Sequence, residues 1–250
     1  MALFRHLARA REEGEVREMP GVLIACCGAM FHMFNAAFLA DPVDDEPGKL
    51  ERRVAIAAVH FGARGLRWAF WVNEDKLTGG LAKRAQTVFH DHGLGLAARM
   101  PAMVTTRLTP PLRPPPALDV RPIEDGPGRL AFCHILSVSF CIPFGWCQEL
   151  YGPEGTWTGD LGGYVGYAGG EPVTVAAMMI AADAAGLYCV GTLPGHQRKG
   201  YAEAIMRHAL EDARSRRGIE RSVLQSTATG LPLYQRLGYE TVTRFAVYSS

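Results

Sequence analysis

The chain has 250 residues, of which 48% are hydrophobic and 20% charged, and its formal net charge is +1. This length suffices for one large or two small domains with real cores, and the composition excludes collagen-like and wholly disordered classes. Because so small a net charge gives no strong field, we expect no nucleic-acid partner.

The first half predicts alternating helices and strands. Its charged start lacks the apolar region of a secretory signal, so we expect a cytoplasmic protein. A first helix is predicted near residues 3–16, and residues 49–64 show helical spacing of apolar side chains. The run LRWAFWV is typical of a strand, and LAKRAQTVFHDHG predicts an amphipathic helix. LGLAARMPAMVTTRL predicts one strand, or two with a bend at Pro101.

The segment GVLIACCGAMFHMFNAAFLA, residues 21–40, is long enough to suggest a membrane span. It contains His32 and Asn35, however, and three aspartates follow it closely. Polar groups of this kind are costly inside a bilayer. We therefore predict a buried strand-to-helix segment and no membrane partner, with a membrane-associated protein as the alternative.

The proline-rich stretch TPPLRPPPALDV, residues 109–120, divides the chain, because its five prolines favour an extended connector. The predicted domains are residues 1–108 and 118–250, with residues 109–117 as a linker. The second half predicts the order β-α-β-β-β-α-β-α-β, an α/β or α+β sheet domain. A hairpin surrounds the turn AGGEP, and SFCIPFGWCQELYG is expected to be a loop. No internal repeat between the halves is visible by eye.

The six cysteines contain no CxxC pair. Cys133, His134, Cys141 and Cys147 cluster loosely, but their gaps do not match those of a zinc site. We therefore expect no metal site, and reduced, buried thiols.

The stretch VGTLPGHQRKGYA follows a predicted strand and leads into a helix. The first turn of a helix has unpaired amides and a partial positive charge, so it suits a phosphate. Gly200 and Ala202 are small enough to let a phosphate approach, and Arg198 and Lys199 add positive charge. A solvated basic helix start without a ligand explains the same pattern. The turn matches neither GxxxxGK[ST] nor GxGxxG.

Three motifs together resemble the GCN5-related N-acetyltransferase (GNAT) family. They are Val190-Gly191-Thr192, Gln197-Arg198-Lys199-Gly200-Tyr201-Ala202 and Tyr234-Gln235-Arg236-Leu237-Gly238-Tyr239. The resemblance covers residues 118–250 and implies a mixed, mostly antiparallel sheet flanked by helices. The first half, which has no second QxxGxG/A turn, resembles part of a degenerate domain of the same kind.

The resemblance implies an acyl-CoA ligand, most often acetyl-CoA, whose acetyl group passes to an amine of a small molecule or peptide. The strand end would pair with the pantetheine arm, and the amides of the following turn would hold the pyrophosphate. The cofactor-binding residues implied are Val190, Gly191, Thr192, Gln197, Arg198, Lys199, Gly200, Tyr201, Ala202 and Glu203. In the family, a tyrosine at the position of Tyr234 often protonates the leaving sulfur.

The sequence departs from the family pattern at the general base. Many members carry a glutamate on the strand before the turn, but AAGLYCVGTL has no carboxylate. Asp183, His134, His196 and a water chain are alternatives, and we assign none. A non-catalytic acyl-CoA-binding regulatory module is therefore the competing hypothesis.

The sequence indicates less about the residues that bind the acceptor than about those that bind the cofactor. Ser226, Thr227 and Thr229 stand where many relatives carry an asparagine that contacts the cofactor. An apolar acceptor wall or ordinary core packing explains the aromatic residues of the SFCIPFGWCQELYG loop, namely Phe140, Phe144, Trp146 and Tyr151. The acceptor, the acyl chain length and the oligomeric state, a homodimer included, are left open.

Overall fold

The computed structural model describes all 250 residues. The helices are α1 (Ala2–Arg9), α2 (Lys49–Gly62), α3 (Leu81–Asp91), α4 (Gly126–Phe140), α5 (Phe144–Tyr151), α6 (Tyr201–Arg217) and α7 (Leu231–Arg236). The strands are β1 (Glu15–Met19), β2 (Val22–Cys26), β3 (Asn35–Leu39), β4 (Ala69–Asn73), β5 (Gly95–Thr105), β6 (Asp119–Pro122), β7 (Leu161–Ala168), β8 (Glu171–Ala181), β9 (Ala184–Thr192), β10 (Arg221–Gln225) and β11 (Glu240–Ser249). No helix combines the length and apolarity that a membrane crossing requires.

The chain divides into two compact units. Unit 1 contains Met1–Ala102 together with Val242–Ser250, and unit 2 contains Met103–Thr241. This division differs from the predicted boundaries, because the last nine residues belong to unit 1 and the proline-rich stretch to unit 2. The reason is backbone pairing: β11 hydrogen-bonds to β4, from Phe245 opposite Asn73 to Ser249 opposite Ala69.

Unit 1 is built on a mixed sheet. β1, β2 and β3 pair antiparallel, β3 pairs in parallel with β4, and β4 pairs antiparallel with β11. Every residue of β2 and β3 is buried, as expected for strands whose two faces are both covered. The core includes the fully buried rings of Phe61 on α2, Phe70 on β4 and Phe89 on α3.

Unit 2 contains an antiparallel meander followed by a crossover. β6, β7, β8 and β9 pair antiparallel in chain order, and β10 pairs in parallel with β9. A parallel pair needs a crossover connection, and α6 supplies it. This helix buries Ile205, Met206 and Ala209 in the core of the unit. The mixed α/β architecture with a mostly antiparallel sheet confirms the predicted fold class.

The prediction for residues 21–40 is wrong in its second half. The segment consists of β2, a single turn of 3-10 helix at His32–Phe34, and β3. The buried side chain of Asn35 fixes this arrangement, because its Nδ2 donates to the carbonyls of Ala29 (2.8 Å) and Arg67 (3.0 Å). Short apolar runs do not distinguish strand from helix by periodicity.

The expected loop SFCIPFGWCQELYG is also corrected, because it contains the end of α4 and the whole of α5. Cys141 ends α4 in a left-handed conformation, with φ 54°, and the amide of the next residue, Ile142, donates to the carbonyl of Ser137 at 3.0 Å. Pro143 then occupies the N-cap of α5, so the break between the helices lies at a proline. In contrast, β5 continues through Pro101 as one strand.

Candidate functional site

A bulge interrupts β9 just before the predicted cofactor strand. Ala177 lies opposite Tyr188, but Val175 lies opposite Gly191, so β9 has one extra residue between these pairs. Cys189 takes a left-handed backbone conformation there, with φ 53°. Bulges of this kind bend a strand and change the direction of its edge.

The same strand has an open edge after its first residues. β10 pairs with β9 only from Ala184 to Gly186, so the rest of β9 has no strand partner on that side. The amide of Leu193 donates to Val173 on the β8 side. Because successive residues of a strand point their amides to alternate edges, Val190 and Thr192 direct their N–H groups toward the open edge. An extended ligand with amide groups could add here like a further strand.

Side chains already occupy some of the polar groups at this strand end. The Thr174 hydroxyl lies 2.8 Å from the Gly191 carbonyl, to which it donates, and 2.9 Å from the Thr192 hydroxyl. Gln197 donates from Nε2 to the carbonyl of Thr192, at 3.2 Å. The predicted ligand residue Gln197 is therefore used to join the turn to the strand. The amide of Val190, next to the bulge, remains available as a hydrogen-bond donor to a ligand.

Gly191 lets the end of α4 approach the strand closely. A Cβ at this position would lie 3.1 Å from the Cβ and Oγ of Ser139 and 3.3 Å from the ring of Phe140. These contacts are tighter than ordinary van der Waals distances. The exposed ring of Phe140 therefore lies beside the open strand end.

The turn after β9 shapes the start of α6. One turn of 3-10 helix, Pro194–His196, is followed by Arg198 with φ 61° and by Gly200 with φ 90° at the N-cap. Only glycine adopts the second conformation without cost. The amides of the first helical turn have no acceptor within the chain, as is usual for a helix start without a capping side chain. Arg198 and Lys199 are exposed beside them.

Glu203 is the one acidic residue in this first turn. Its carboxylate lies 2.8 Å from the guanidinium of Arg207 and 3.9 Å from that of Arg236. These partners neutralise its charge and hold the carboxylate along the helix. A negative side chain at this position is therefore compatible with an anion at the helix start.

Tyr234 lies on α7, and its ring is so close to Gly230 that a Cβ there would be only 2.8 Å from Cε2. The ring of Tyr239 makes an edge contact at 6.0 Å between centroids. Burial raises the pKa of Tyr234 to about 12, so the phenol keeps its proton at neutral pH. Its hydroxyl makes no hydrogen bond within the chain and is available to a ligand. The spacing of the motif did not reveal the role of Gly230.

Three thiols lie behind the bulge. Cys189 contacts the hydroxyl of Tyr151 at 3.4 Å, and Cys133 contacts the carbonyl of Cys147 at 3.5 Å. Burial raises the pKa of Cys133 to about 12, of Cys147 to about 11 and of Cys189 to about 12. Because the thiolate is the nucleophilic form, these cysteines are packing groups.

Two of the three base candidates are badly placed for the reaction. Asp183 forms the β8–β9 turn with Ala182, both with positive φ, at the opposite end of β9 from Val190. With a rise of about 3.3 Å per residue, this separation exceeds about 20 Å. His134 lies on the exposed side of α4. His196 lies in the turn itself, and its Nδ1 is buried without a partner.

The aromatic residues predicted for the acceptor wall occupy different environments. Phe140 and Phe144 are 39% and 37% exposed, whereas Tyr151 is 1% exposed. Tyr151 packs against Phe132 and Trp157. Tyr151 thus belongs to the core, and Phe140 is the exposed aromatic side chain shown to lie beside the strand end.

Residues 159–241 match the model of the acetyltransferase (GNAT) domain. The matched range includes β9, the turn, the start of α6 and Tyr234, which are the features described above. Unit 2 contains a GNAT domain. No curated protein matches the chain.

Solved structures share the fold of the chain beyond this domain. A GCN5-related N-acetyltransferase from Kribbella flavida is 20% identical, with a TM-score of 0.75 over 100% of this chain and 93% of the other. A functionally unknown conserved protein from Staphylococcus epidermidis is 12% identical, with a TM-score of 0.70 over 94% and 92%. A tandem GNAT protein from the clavulanic acid biosynthesis pathway is 10% identical, with a TM-score of 0.56 over 92% and 78%. The N-terminal half therefore has a GNAT-like fold, and the chain has the two-domain arrangement of tandem GNAT proteins.

Proposed function

We propose that the GNAT domain transfers an acetyl group from acetyl-CoA to an amine of a small molecule or peptide. The observation that carries this proposal is the open edge of β9 directly before a basic helix start whose first amides have no partner. The edge suits an extended arm with amide groups, and the helix start suits a pyrophosphate. The strand edge and the helix start follow one another in the chain. A single ligand with an amide-containing arm and a pyrophosphate could therefore bind to both.

Acetyl-CoA would supply an acyl thioester already activated for transfer. The residues of this chain then have separate tasks. The amides from Arg198 to Glu203 bind the pyrophosphate, and the N–H of Val190 donates a hydrogen bond to the thioester carbonyl oxygen. Charge develops on that oxygen as the amine nitrogen bonds to the carbonyl carbon.

Tyr234 completes the proton balance of the step. As the C–N bond forms and the C–S bond breaks, its phenol gives a proton to the leaving sulfur and later regains one from solvent. The raised pKa of the phenol, about 12, keeps it a donor throughout the neutral range. The amine must be neutral to attack, although free alkylamines have a pKa of about 10.4. β9 has no carboxylate to deprotonate it, and Asp183 and His134 are badly placed, so His196 or a water molecule takes the proton and releases it to solvent.

The acceptor expected from this surface has an apolar body. Phe140 is partly exposed beside the strand end, and its ring can contact an aliphatic or aromatic group next to the amine. We further propose that unit 1 binds no acyl-CoA, because the loop before α2 carries Asp41, Asp44, Asp45 and Glu46. Lys49, Arg52 and Arg84 are already paired with Asp44, Glu46 and Asp45, so these cations are not free to bind a pyrophosphate.

Isothermal titration with acetyl-CoA and with CoA tests the cofactor site. The wild type should bind both at micromolar concentration, and Gly200→Glu should not, because it places a carboxylate where the pyrophosphate is expected. Gly48→Glu is the matched control, since Gly48 is also a left-handed N-cap glycine, with φ 79°. If both variants lose binding equally, or if the wild type does not bind, the proposed site is wrong.

The competing hypothesis is an acyl-CoA-binding regulatory module. The absence of a carboxylate on β9 favours it, and Tyr234 favours the enzyme. A panel of amines with apolar side groups, assayed by mass spectrometry for acetylated product, separates the two. Binding of acetyl-CoA without any product that depends on Tyr234 would identify a module that binds only.

A further inference from the structure

A cavity lies in unit 2, away from the open end of β9. It has a volume of about 310 Å³ and is lined by the end of β6, the start of β7, the end of β8 and the C-terminal half of α6. Asp212, one of its lining residues, follows the first residue of α6 by eleven positions. At about 1.5 Å per residue, the cavity is about 16 Å along the helix from the amides proposed to bind pyrophosphate.

Two adjacent glycines of β7 form part of the cavity wall, and they have different roles. A Cβ at Gly163 would collide with the ring of Trp157 and with Ile123, so this glycine is needed for packing. A Cβ at Gly162 would meet only the hydroxyl of Tyr164, at 3.9 Å. A larger side chain at position 162 therefore has room, and it would extend into the cavity.

A fixed polar network lies at the α6 side of the cavity. The buried Tyr164 donates its hydroxyl proton to Asp212 at 2.8 Å, and Nε of Arg216 lies 2.6 Å from the other carboxylate oxygen. The ring of His208 packs edge-on against Tyr164, with 5.6 Å between centroids. These contacts hold His208, Asp212 and Arg216 in a row on one helix face, at positions four residues apart.

Three charged or polar groups of the lining are left for a ligand. Arg216 is 76% exposed and uses its Nε for Asp212, so its terminal nitrogens face solvent. His208 and Glu124 make no hydrogen bond or ion pair within the chain. Donors for an anion thus lie on α6, and a carboxylate lies on the segment that follows β6. Between them, Met178, Ile180 and Trp157 give the cavity an apolar surface.

We propose that this cavity binds a small α-amino acid with an apolar or aromatic side chain. Arg216 and His208 would bind its carboxylate, Glu124 would bind its ammonium group, and the apolar surface would contact its side chain. The volume is at the small end of ligand pockets, so it suits a small molecule better than a nucleotide or a peptide. A phosphate compound is disfavoured, because Glu124 and Asp160 lie in the same lining. The proposal is independent of acetyl transfer.

Isothermal titration of the full chain with single L-amino acids, including leucine, methionine and phenylalanine, tests the proposal without acyl-CoA. At least one should bind one-to-one with a Kd of about 1 mM or tighter. Gly162→Phe, which fills the cavity, and Arg216→Ala should each weaken binding by about tenfold or more. Arg214→Ala is the matched control, because Arg214 is an exposed arginine of the same helix outside the cavity, and it should bind like the wild type.

An amino acid bound instead as an acetyl acceptor would behave differently. Its binding would weaken in Phe140→Ala and would not change in Gly162→Phe. The cavity proposal is overturned by that pattern, or if no amino acid of the panel binds. Glu124→Gln keeps the test valid if Gly162→Phe does not fold, because Glu124 is exposed and its charge is expected to matter only to the ligand.

Discussion

The starts of α2 and α6 have similar backbones and opposite chemistry. Each helix follows a strand, begins after a left-handed glycine (Gly48 with φ 79°, Gly200 with φ 90°) and leads to a strand parallel to the first. The loop before α2, however, carries Asp44 and Asp45, whereas the turn before α6 carries Arg198 and Lys199. Although the two helix starts have similar backbones, only the start of α6, in unit 2, has a charge that suits an anion.

The strands before the two helices differ as well. β3 pairs with β2 along its whole length and with β4 from Ala36 to Phe38, so only Leu39 extends beyond the parallel pair. In β9, six residues extend beyond it, from Leu187 to Thr192, and they include the bulge at Cys189. From this difference we expect that an acyl-CoA site requires more than the backbone of a helix start, namely an unpaired strand edge and a positive charge as well.

Reversal of the charges at the α6 start should have the largest effect. Arg198→Glu combined with Lys199→Asp should weaken acetyl-CoA binding by roughly 100-fold or more, since hydrogen bonds to charged groups contribute about 1.5–3 kcal/mol each. Titration at two salt concentrations measures it, and the wild-type affinity should fall as salt rises. The opposite change, Asp44→Lys with Asp45→Lys in unit 1, should leave the affinity unchanged. A second acetyl-CoA bound by that variant would show that charge alone separates the two loops.

Removal of the Tyr234 hydroxyl should affect turnover and not binding. Tyr234→Phe should lower kcat by about 100-fold for any amine that the wild type acetylates, because proton donation in the transition state is lost. The Kd for acetyl-CoA should stay within about twofold. Tyr248→Phe is the matched phenol of unit 1, which stacks on Phe89, and its kcat should equal that of the wild type. Equal losses in the two variants would assign the effect to folding.

A smaller loss is expected when the support of Tyr234 is disturbed. Gly230→Ala puts a methyl group 2.8 Å from the ring, so the phenol must shift, and kcat should fall by about tenfold. Gly62→Ala at the end of α2 is the control, because nothing lies within 4 Å of its Cβ position. Steady-state kinetics of both variants gives the comparison. An unchanged kcat in Gly230→Ala would mean that the position of the ring does not matter.

The units should also differ in how they respond to acid. Burial lowers the pKa of His32 and His60 in unit 1. Burial alone would raise the pKa of Glu15, but the hydrogen bond from Arg17 and the charge of Arg64 outweigh it and lower this pKa. The unfolded chain therefore takes up protons that folded unit 1 excludes, and the stability of unit 1 falls as the pH drops below about 6.5.

Alkali should act mainly on unit 2. Its buried cysteines and tyrosines have raised pKa values, Tyr188 at about 12 among them. These groups lose protons only on unfolding, so the stability of unit 2 falls as the pH rises above about 9. Hydrogen exchange followed by mass spectrometry, corrected for the intrinsic pH dependence, should show about tenfold faster exchange of unit 1 peptides at pH 5.5 and of unit 2 peptides at pH 9.5. Identical profiles for the two units would contradict this assignment.

Local sequence signals predicted the elements of the candidate site well. Three features could be recognised from the sequence because each depends on residues close together in the chain. They are Gly200, the basic pair before it and the tyrosine motif. The helices at residues 49–62 and 201–217 and the hairpin of β7 and β8 agree with the periodicity of their apolar side chains. The structure of residues 21–40 does not agree with a periodic pattern, because the buried side chain of Asn35 determines its turn.

Features that depend on register between distant strands could not be predicted. The bulge at Cys189 and the open edge of β9 are defined by pairing with β8 and β10, and no local residue pattern specifies a bulge. The partner of β11 was missed for the same reason, since alternation predicts a strand but not its neighbour. The likeness between β3–α2–β4 and β9–α6–β10 was invisible because it lies in backbone conformation and not in residue identity.

The position of β11 has a consequence for the order in which the protein forms on the ribosome. Unit 1 begins at the N-terminus, but the strand that covers β4 is made only after the whole of unit 2, residues 103–241. At about 5–20 residues per second, translation leaves the edge of β4 uncovered for roughly ten seconds or longer. Unit 2 has all of its own residues first, so the domain that starts later in the chain is the first that can finish folding.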